Sequence, residues 1–392
     1  MTDSTPLRIK RIEVEGLFGL YHHVIDLNLE DRVTILHGPN GVGKTVLLRM
    51  INALVTDGKY FKTMPSFGKF VVGLVDGRIL QIASEKFTYA NNEVKIHAGG
   101  MSYYLYDFDG ETKNPTNSRI FFLLFANKLA TYFIEEQRLF YCSRVKNAKN
   151  QSIVKMALVL EDYAEDLHER VQNMIADYAQ TSQELDRTLP LRLLNKTTSQ
   201  ILNSEQLKQQ LVELESKYRE LREIGLLQET VTPAFDVEQL NNIDEAKRGM
   251  MTLYIEDTQQ KLSVLDDFAQ RIKLFLNIIN HKFKHKQIKI DHEKGFVIED
   301  RYQQELSLDS LSSGEQHEII LTYDLLFKVV PNSLVLIDEP ELSLHLTWQG
   351  HFLPDLLEIV KIANFDVIIA THSPFIIGSR RDLMVALEDK VQ

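Results

Sequence analysis

Eight consecutive residues, Gly38-Pro39-Asn40-Gly41-Val42-Gly43-Lys44-Thr45, match the pattern GxxxxGK[ST] at every fixed position. Glycines at these places let backbone N–H groups close around phosphate oxygens. A helix opening at Lys44 would add the positive end of its dipole. On this reading Lys44 reaches the β- and γ-phosphates and Thr45 ligates Mg²⁺. A second group lies far along the chain, where the apolar run Leu334 to Ile337 ends in Asp338 and Glu339. A carboxylate at the C-terminal edge of a strand faces the crevice where open α/β sheets bind ligands. Asp338 is placed there to hold Mg²⁺ through water, and Glu339 to act as general base toward an attacking water. The plainer alternative is an acidic pair that caps the next helix.

These residues need strands and helices to carry them. Ile12 and Val14 alternate with charges, as do Ile25, Leu27 and Leu29 with polar residues, which predicts two half-buried strands. Val33 to Leu36 predicts a buried strand feeding Gly38. Val46, Leu47, Met50, Ile51 and Leu54 fall at helical spacing after the loop. Asp76-Gly77 between Phe70–Val75 and Arg78–Ile82 predicts a hairpin with a type I′ turn. Strands are expected at Tyr103 to Phe108 and Tyr132 to Ile134, and a buried helix at Ile120 to Leu129. Leu160 to Leu185 and Leu207 to Leu221 carry 4-3 heptad spacing on either side of Pro190 and a polar stretch. They read as two helices of an antiparallel arm, or else as part of a helical bundle. One long helix is expected over 237–284 and a hairpin around Lys294-Gly295. Helices at Ser312 to Val330 and Leu344 to Val360, with strands at Leu334, Val367 and Leu383, return the chain to α/β order.

Two more motifs decide the class. Ser312-Ser313-Gly314-Glu315-Gln316 opens a helix, and Ala370-Thr371-His372-Ser373 ends a buried strand. Phosphate loop, LSSGE-type helix start, strand-DE and strand-TH, in that order, resemble the ABC-type ATPases. The run SLSSGEQHEIILTYDLLF…SLVLIDEPELSLHLTWQ…VIIATHSPFII resembles their AAA-15/AAA-21 branch, near the SMC, RecF and OLD proteins and the ATPase subunit of PARIS-type anti-phage systems. The resemblance implies an α/β fold: an ABC-type P-loop head with β-hairpins and a helical, short coiled-coil-like insertion. It implies ATP and Mg²⁺ as ligands and a head dimer in which Ser312, Ser313 and Gly314 of one copy meet the γ-phosphate held by Lys44 of another. It makes His372 the switch histidine on that phosphate. It also calls for a strand-end glutamine beside Mg²⁺ and the attacking water. Gln137 is preferred because it follows a strand and precedes the insertion, and Gln81 is the alternative. The implied divisions are 1–150 and 286–392 for the two parts of the head and 151–285 for the insertion. Three departures stand out: Ser313 and Glu315 replace the Gly and Gln of transporters, His345 occupies the D-loop aspartate position, and Gly16-Leu17-Phe18-Gly19 lacks a basic residue.

Composition narrows the partners. The chain of 392 residues is 44% hydrophobic and 25% charged, ordinary for a globular protein. Its net charge of −11 leaves no general basic coat, so any nucleic-acid contact would be local. His281, Lys282, Lys284, His285, Lys286 and Lys289 form one basic run, and Arg138, Arg144, Lys146 and Lys149 a looser one. Either is a candidate for phosphate contacts or simply a solvated face. The single cysteine, Cys142, excludes an internal disulfide and a cysteine zinc hook. No apolar run approaches a membrane span, and no signal-peptide core is seen, so cytoplasm is expected. The expected reading is an ATPase that senses and gates, with itself as partner, a phage protein as trigger and a separately encoded nuclease as effector. With few residues after His372, the C-terminal nuclease domain that OLD-like proteins carry is not expected here. A RecF-like repair ATPase, a transporter ATPase subunit and a non-hydrolysing scaffold are the alternatives.

Overall fold

The computed structural model describes residues 7–55, 64–84, 96–98, 101–106, 129–134, 156–194, 201–227, 244–342 and 344–387. The chain forms two compact units, one of residues 1–142 with 324–392 and the other of residues 143–323.

The first unit holds two sheets. Five parallel strands run in the order β14-β3-β13-β12-β8: β3 Val33–His37, β8 Thr131–Ile134, β12 Leu334–Asp338, β13 Asp366–Thr371 and β14 Met384–Ala386. A parallel sheet covered on both faces needs strands apolar throughout. β12 and β13 are buried at every position, and β3 at every position but His37. The second sheet is antiparallel, in the order β2-β1-β4-β5-β7-β6: β1 Ile9–Leu17, β2 Tyr21–Asp26, β4 Lys69–Leu74, β5 Ile79–Ser84, β6 Ile96–Ala98 and β7 Met101–Tyr106. Helix α1 (Lys44–Ala53) buries Leu47, Leu48, Met50 and Ile51. They share one core with Ile12, Val14 and Phe70 of the antiparallel sheet and with Leu36, Leu336 and Ile368 of the parallel one. The α/β class is therefore as expected.

Between β4 and β5 the turn differs from type I′. Asp76 is not among the residues with positive φ; only Gly77 is, at 89°. The Gly77 N–H donates to Leu74 O (3.1 Å) and the Leu74 N–H to Arg78 O (2.8 Å). That is a three-residue loop with glycine in the left-handed position, which spares Asp76 a strained conformation. The helix expected at Ile120 to Leu129 lies outside the described residues, apart from buried Leu129.

The second unit is helical with one small sheet. Its helices are α2 (Met156–Leu194), α3 (Ser204–Glu223), α4 (Glu245–Ser263), α5 (Asp266–Lys282) and α6 (Ser313–Tyr323). The sheet has order β11-β10-β9, from β9 Lys286–Asp291, β10 Gly295–Asp300 and β11 Glu305–Leu306. Pro190 lies inside α2 rather than in a turn after it. Proline removes a helix hydrogen bond, but this one comes near the C-terminal end, where Arg192 donates to Leu185 O (2.7 Å) and pairs with Asp257 of α4. The single helix expected over 237–284 is broken at Val264–Leu265 into α4 and α5, and Asp266 and Asp267 supply the acidic first turn of the second helix. Of the two heptad helices, α2 packs chiefly on β10 and α6 and also touches α4, α3 packs chiefly on α4, and the direct contact of α2 with α3 includes a hydrogen bond between Tyr178 and Tyr218. The arrangement is closer to a bundle than to a two-helix arm. Glycine at 295 is obligatory: its φ is 77°, and a Cβ there would stand 1.8 Å from Ala164 O of α2.

The basic run after α5 is not a stripe of free cations. Lys282 forms a buried ion pair with Glu318, Lys286 pairs with Glu315 (2.9 Å) and Lys289 with Glu299 (2.5 Å). No helix among the described residues is long and apolar enough to cross a membrane.

Candidate active site

The phosphate loop connects β3 to α1, as the motif requires. Gly41 and Gly43 have φ of 88° and 100°, a region that favours glycine. A Cβ on Gly43 would also lie 2.5 Å from Leu17 Cδ2, and one on Gly38 2.8 Å from Leu387 O. Gly43 is thus fixed by packing as well as by conformation, and Gly38 by packing. The Lys44 ammonium is turned into the loop, donating to Gly38 O (2.8 Å) and Pro39 O (3.1 Å). A residue not anticipated from the sequence braces the outside of the loop. Buried His23 of β2 places Nε2 2.9 Å from Val42 O, where only a protonated nitrogen can bond. Tyr21 stacks on the His23 ring at 5.6 Å, and Phe18 meets Tyr21 edge-on. Period-2 spacing with buried Ile25 was the available signal for His23.

β12 delivers the carboxylates beside this loop. Register sets Asp338 opposite Ala370, and the Thr45 hydroxyl donates to Asp338 Oδ1 at 3.0 Å. This pair places a hydroxyl oxygen and a carboxylate oxygen side by side, the hard donors that Mg²⁺ takes. The residues present therefore fit that ion. Glu339 has φ of 45°, and its N–H donates to Ala370 O (2.8 Å). A left-handed carboxylate residue at a strand end is a costly conformation of the sort found at functional sites. Glu339 lines a pocket of about 250 Å³ with Phe18, Asn40, Gly41, Gly43, Lys44, Thr45 and Val46.

The histidine after β13 is next to the same carboxylate. His372 Nδ1 lies 3.6 Å from Glu339 Oε1 and 3.4 Å from Glu341 Oε1. Glu341 is a second residue that sequence reasoning passed over, although D-E-P-E displays it two places after Glu339.

In the second unit, Ser312 caps α6. Its N–H and hydroxyl both donate to Glu315 Oε2 (2.8 and 2.9 Å), and the Glu315 N–H donates back to Ser312 Oγ (3.3 Å). This is a capping box, legible as S-x-x-E. Ser312 and Ser313 are exposed and Gly314 is half-buried. Burial would raise the Glu315 pKa, but Lys286 and the Ser312 donors hold it below its ordinary value. Gln137 lies outside the described residues, three places beyond the end of β8. Gln81 is buried in mid-strand on the antiparallel sheet and is not among the residues lining the phosphate-loop pocket.

A family model for the AAA ATPase domain, AAA_15, matches residues 8–377. The chain belongs to the AAA_15 family. No curated protein matches this AAA_15 chain. Among solved structures, it is similar to the Smc head domain with an extended coiled coil bound to the C-terminal domain of ScpA, derived from Pyrococcus furiosus. The identity is 14%, with 98% of this chain and 95% of that chain covered and a TM-score of 0.43. It is also similar to the SmcHead bound to the C-winged helix domain of ScpA, at 12% identity, the same coverages and a TM-score of 0.45.

Proposed function

We propose that this AAA_15 chain binds ATP with Mg²⁺, hydrolyses it, and uses the cycle to close and open a dimer of heads. The observation that carries the reading is the Thr45–Asp338 hydrogen bond, which joins the phosphate loop to β12 next to Glu339. Lys44 and the N–H groups of Gly41 to Thr45 hold the phosphates. Thr45 and Asp338 would hold Mg²⁺, with Gln137 beside them; the ion would neutralise phosphate charge. Glu339 takes the proton of the attacking water, and His372 contacts the γ-phosphate. Positioning and electrostatics supply most of the acceleration.

A pocket of about 250 Å³ is smaller than the ~300–1,000 Å³ that usually encloses a small ligand. A partner copy that brings Ser312, Ser313 and Gly314 over the γ-phosphate would complete it. Closure then depends on that phosphate, and hydrolysis releases it. By resemblance of the motifs, the biological setting is an anti-phage assembly. This chain is its sensor and ATPase, a phage protein the trigger, and a separately encoded nuclease the effector.

The test is Glu339→Gln, which keeps shape but cannot accept the proton. Hydrolysis should fall by roughly 10² or more, and light scattering should show a dimer that persists in ATP. Turnover equal to wild type would move the base elsewhere. The pure wild-type chain should hydrolyse ATP and leave DNA and tRNA uncut with Mg²⁺ or Mn²⁺; cleavage would place the effector in this chain.

A further inference from the structure

Glu341 has more bonds than a turn residue needs. Its side chain is 7% exposed. The Pro340–Leu342 3₁₀ turn returns it beneath the end of β13. There Oε1 alone accepts from Thr371 Oγ1 (2.7 Å), the His372 N–H (3.1 Å) and the Ser373 N–H (3.2 Å). Its own carbonyl accepts from Gln349 Nε2 (3.1 Å), and Gln349 Oε1 accepts from the Ser373 hydroxyl (3.3 Å). One oxygen atom thus joins all three residues of the Thr371–Ser373 turn, which a Ser373 N–H to Thr371 Oγ1 bond (3.0 Å) closes on itself.

The other oxygen takes no part in this. Oε2 is buried and has no hydrogen-bond partner among the described residues. A buried acceptor left unpaired costs free energy.

The neighbour is the His372 ring. Both acceptors facing Nδ1, Glu341 Oε1 at 3.4 Å and Glu339 Oε1 at 3.6 Å, are carboxylate oxygens. These distances are those of charge attraction rather than of a made hydrogen bond, and two carboxylate oxygens that only accept draw the ring proton to the nitrogen that faces them. Nε2 has no partner among the described residues and belongs to a side chain 46% exposed. We propose that Glu341 is the positioning residue for His372: it fixes the turn after β13 and holds the ring with Nδ1 protonated and inward, so that Nε2 is the atom presented to the nucleotide. The catalytic consequence rests on the ATPase reading above; the tautomer and the turn geometry do not.

The two can be tested apart. Long-range ¹H–¹⁵N spectra of the full chain, labelled at histidine and free of nucleotide, report each ring's tautomer. The His372 signal is the one lost in His372→Gln. Wild type should show the Nδ1–H form. Glu341→Leu should move it toward the Nε2–H form, and Glu341→Gln, which keeps an acceptor oxygen, should keep it. In hydrolysis assays Glu341→Leu should lower kcat about tenfold while KM for ATP stays within about twofold. Glu341→Gln should recover most of that loss. An Nε2–H ring in wild type, which needs no variant to detect, overturns the proposal, as does an unchanged tautomer in folded Glu341→Leu. A wild-type chain that hydrolyses no ATP sinks the ATPase reading and leaves the tautomer comparison to decide the role of Glu341.

Discussion

Lys44 is 5% exposed, and its ammonium donates to two carbonyls of its own loop. Its charge is thus held over the loop before any phosphate arrives. Removing it takes away charge-assisted bonds worth about 1.5–3 kcal/mol each. Lys44→Ala should therefore lose at least about tenfold in ATP affinity by calorimetry, while α1 stays folded because alanine favours helix. Affinity close to wild type would refute the phosphate-loop assignment. This residue was legible because its motif is local: eight consecutive positions contain the glycines, the cation and the hydroxyl. His23 and Glu341 were not legible in that way. Their work depends on what a distant strand brings near, Val42 for the first and Thr371 to Ser373 for the second. Nothing in a short window of sequence records such a meeting.

At the scale of elements, helix α6 starts on a carboxylate that is itself neutralised. Glu315 closes the capping box with Ser312 and pairs with Lys286 of β9, so β9 and the start of α6 are tied through one side chain. Its pKa is held below the ordinary value: burial opposes this, but the Lys286 pair and the Ser312 donors outweigh it. A depressed carboxylate contributes stability that is complete above its unfolded pKa and is lost as pH falls through the folded one. Wild type should thus lose stability toward acid more steeply than Glu315→Gln, which has no proton to take up. At neutral pH Glu315→Gln should cost about 1 kcal/mol, the scale of a lost cap or charged bond. Denaturant titrations at several pH values measure both, and parallel acid profiles would remove Glu315 from the linkage. The sequence foretold strands better than helices for a physical reason. Leu334–Ile337 and Val367–Ala370 are apolar throughout, and Val33–Leu36 is so except for buried Thr34, because the parallel sheet is covered on both faces. Helix ends are weaker signals. Pro190 was read as a breaker, yet Arg192 and Asp257 hold the helix past it, and the break at Val264–Leu265 contains neither proline nor glycine.

At the scale of the whole molecule, the proposed catalytic set is divided along the chain. Lys44, Thr45, Asp338, Glu339 and His372 belong to the unit built from both chain ends, and Ser312 to the unit between them. Division by itself fits two roles for Ser312. The serine caps α6 in its own chain through Glu315, which a structural role would explain fully. It is also exposed, as a group awaiting the nucleotide of another copy must be. Mixing variants separates these. Ser312→Arg places a bulky cation where a partner's phosphate would dock, and Lys44→Ala removes the phosphate-binding cation. In a mixed dimer the two lesions fall in one composite site, and the other site keeps wild-type Lys44 and wild-type Ser312. If Ser312 acts on the partner's nucleotide, each parent alone is inactive. Their mixture regains hydrolysis, rising with the fraction of mixed dimers toward roughly half the wild-type rate per dimer if sites fire independently. If Ser312 only caps its own helix, Ser312→Arg is impaired by loss of stability and mixing restores nothing. Calorimetry of Ser312→Arg supplies the control: it should bind ATP normally, because its own phosphate loop is untouched. Normal binding, inactive parents and no recovery in any mixture would together rule out a composite site between copies.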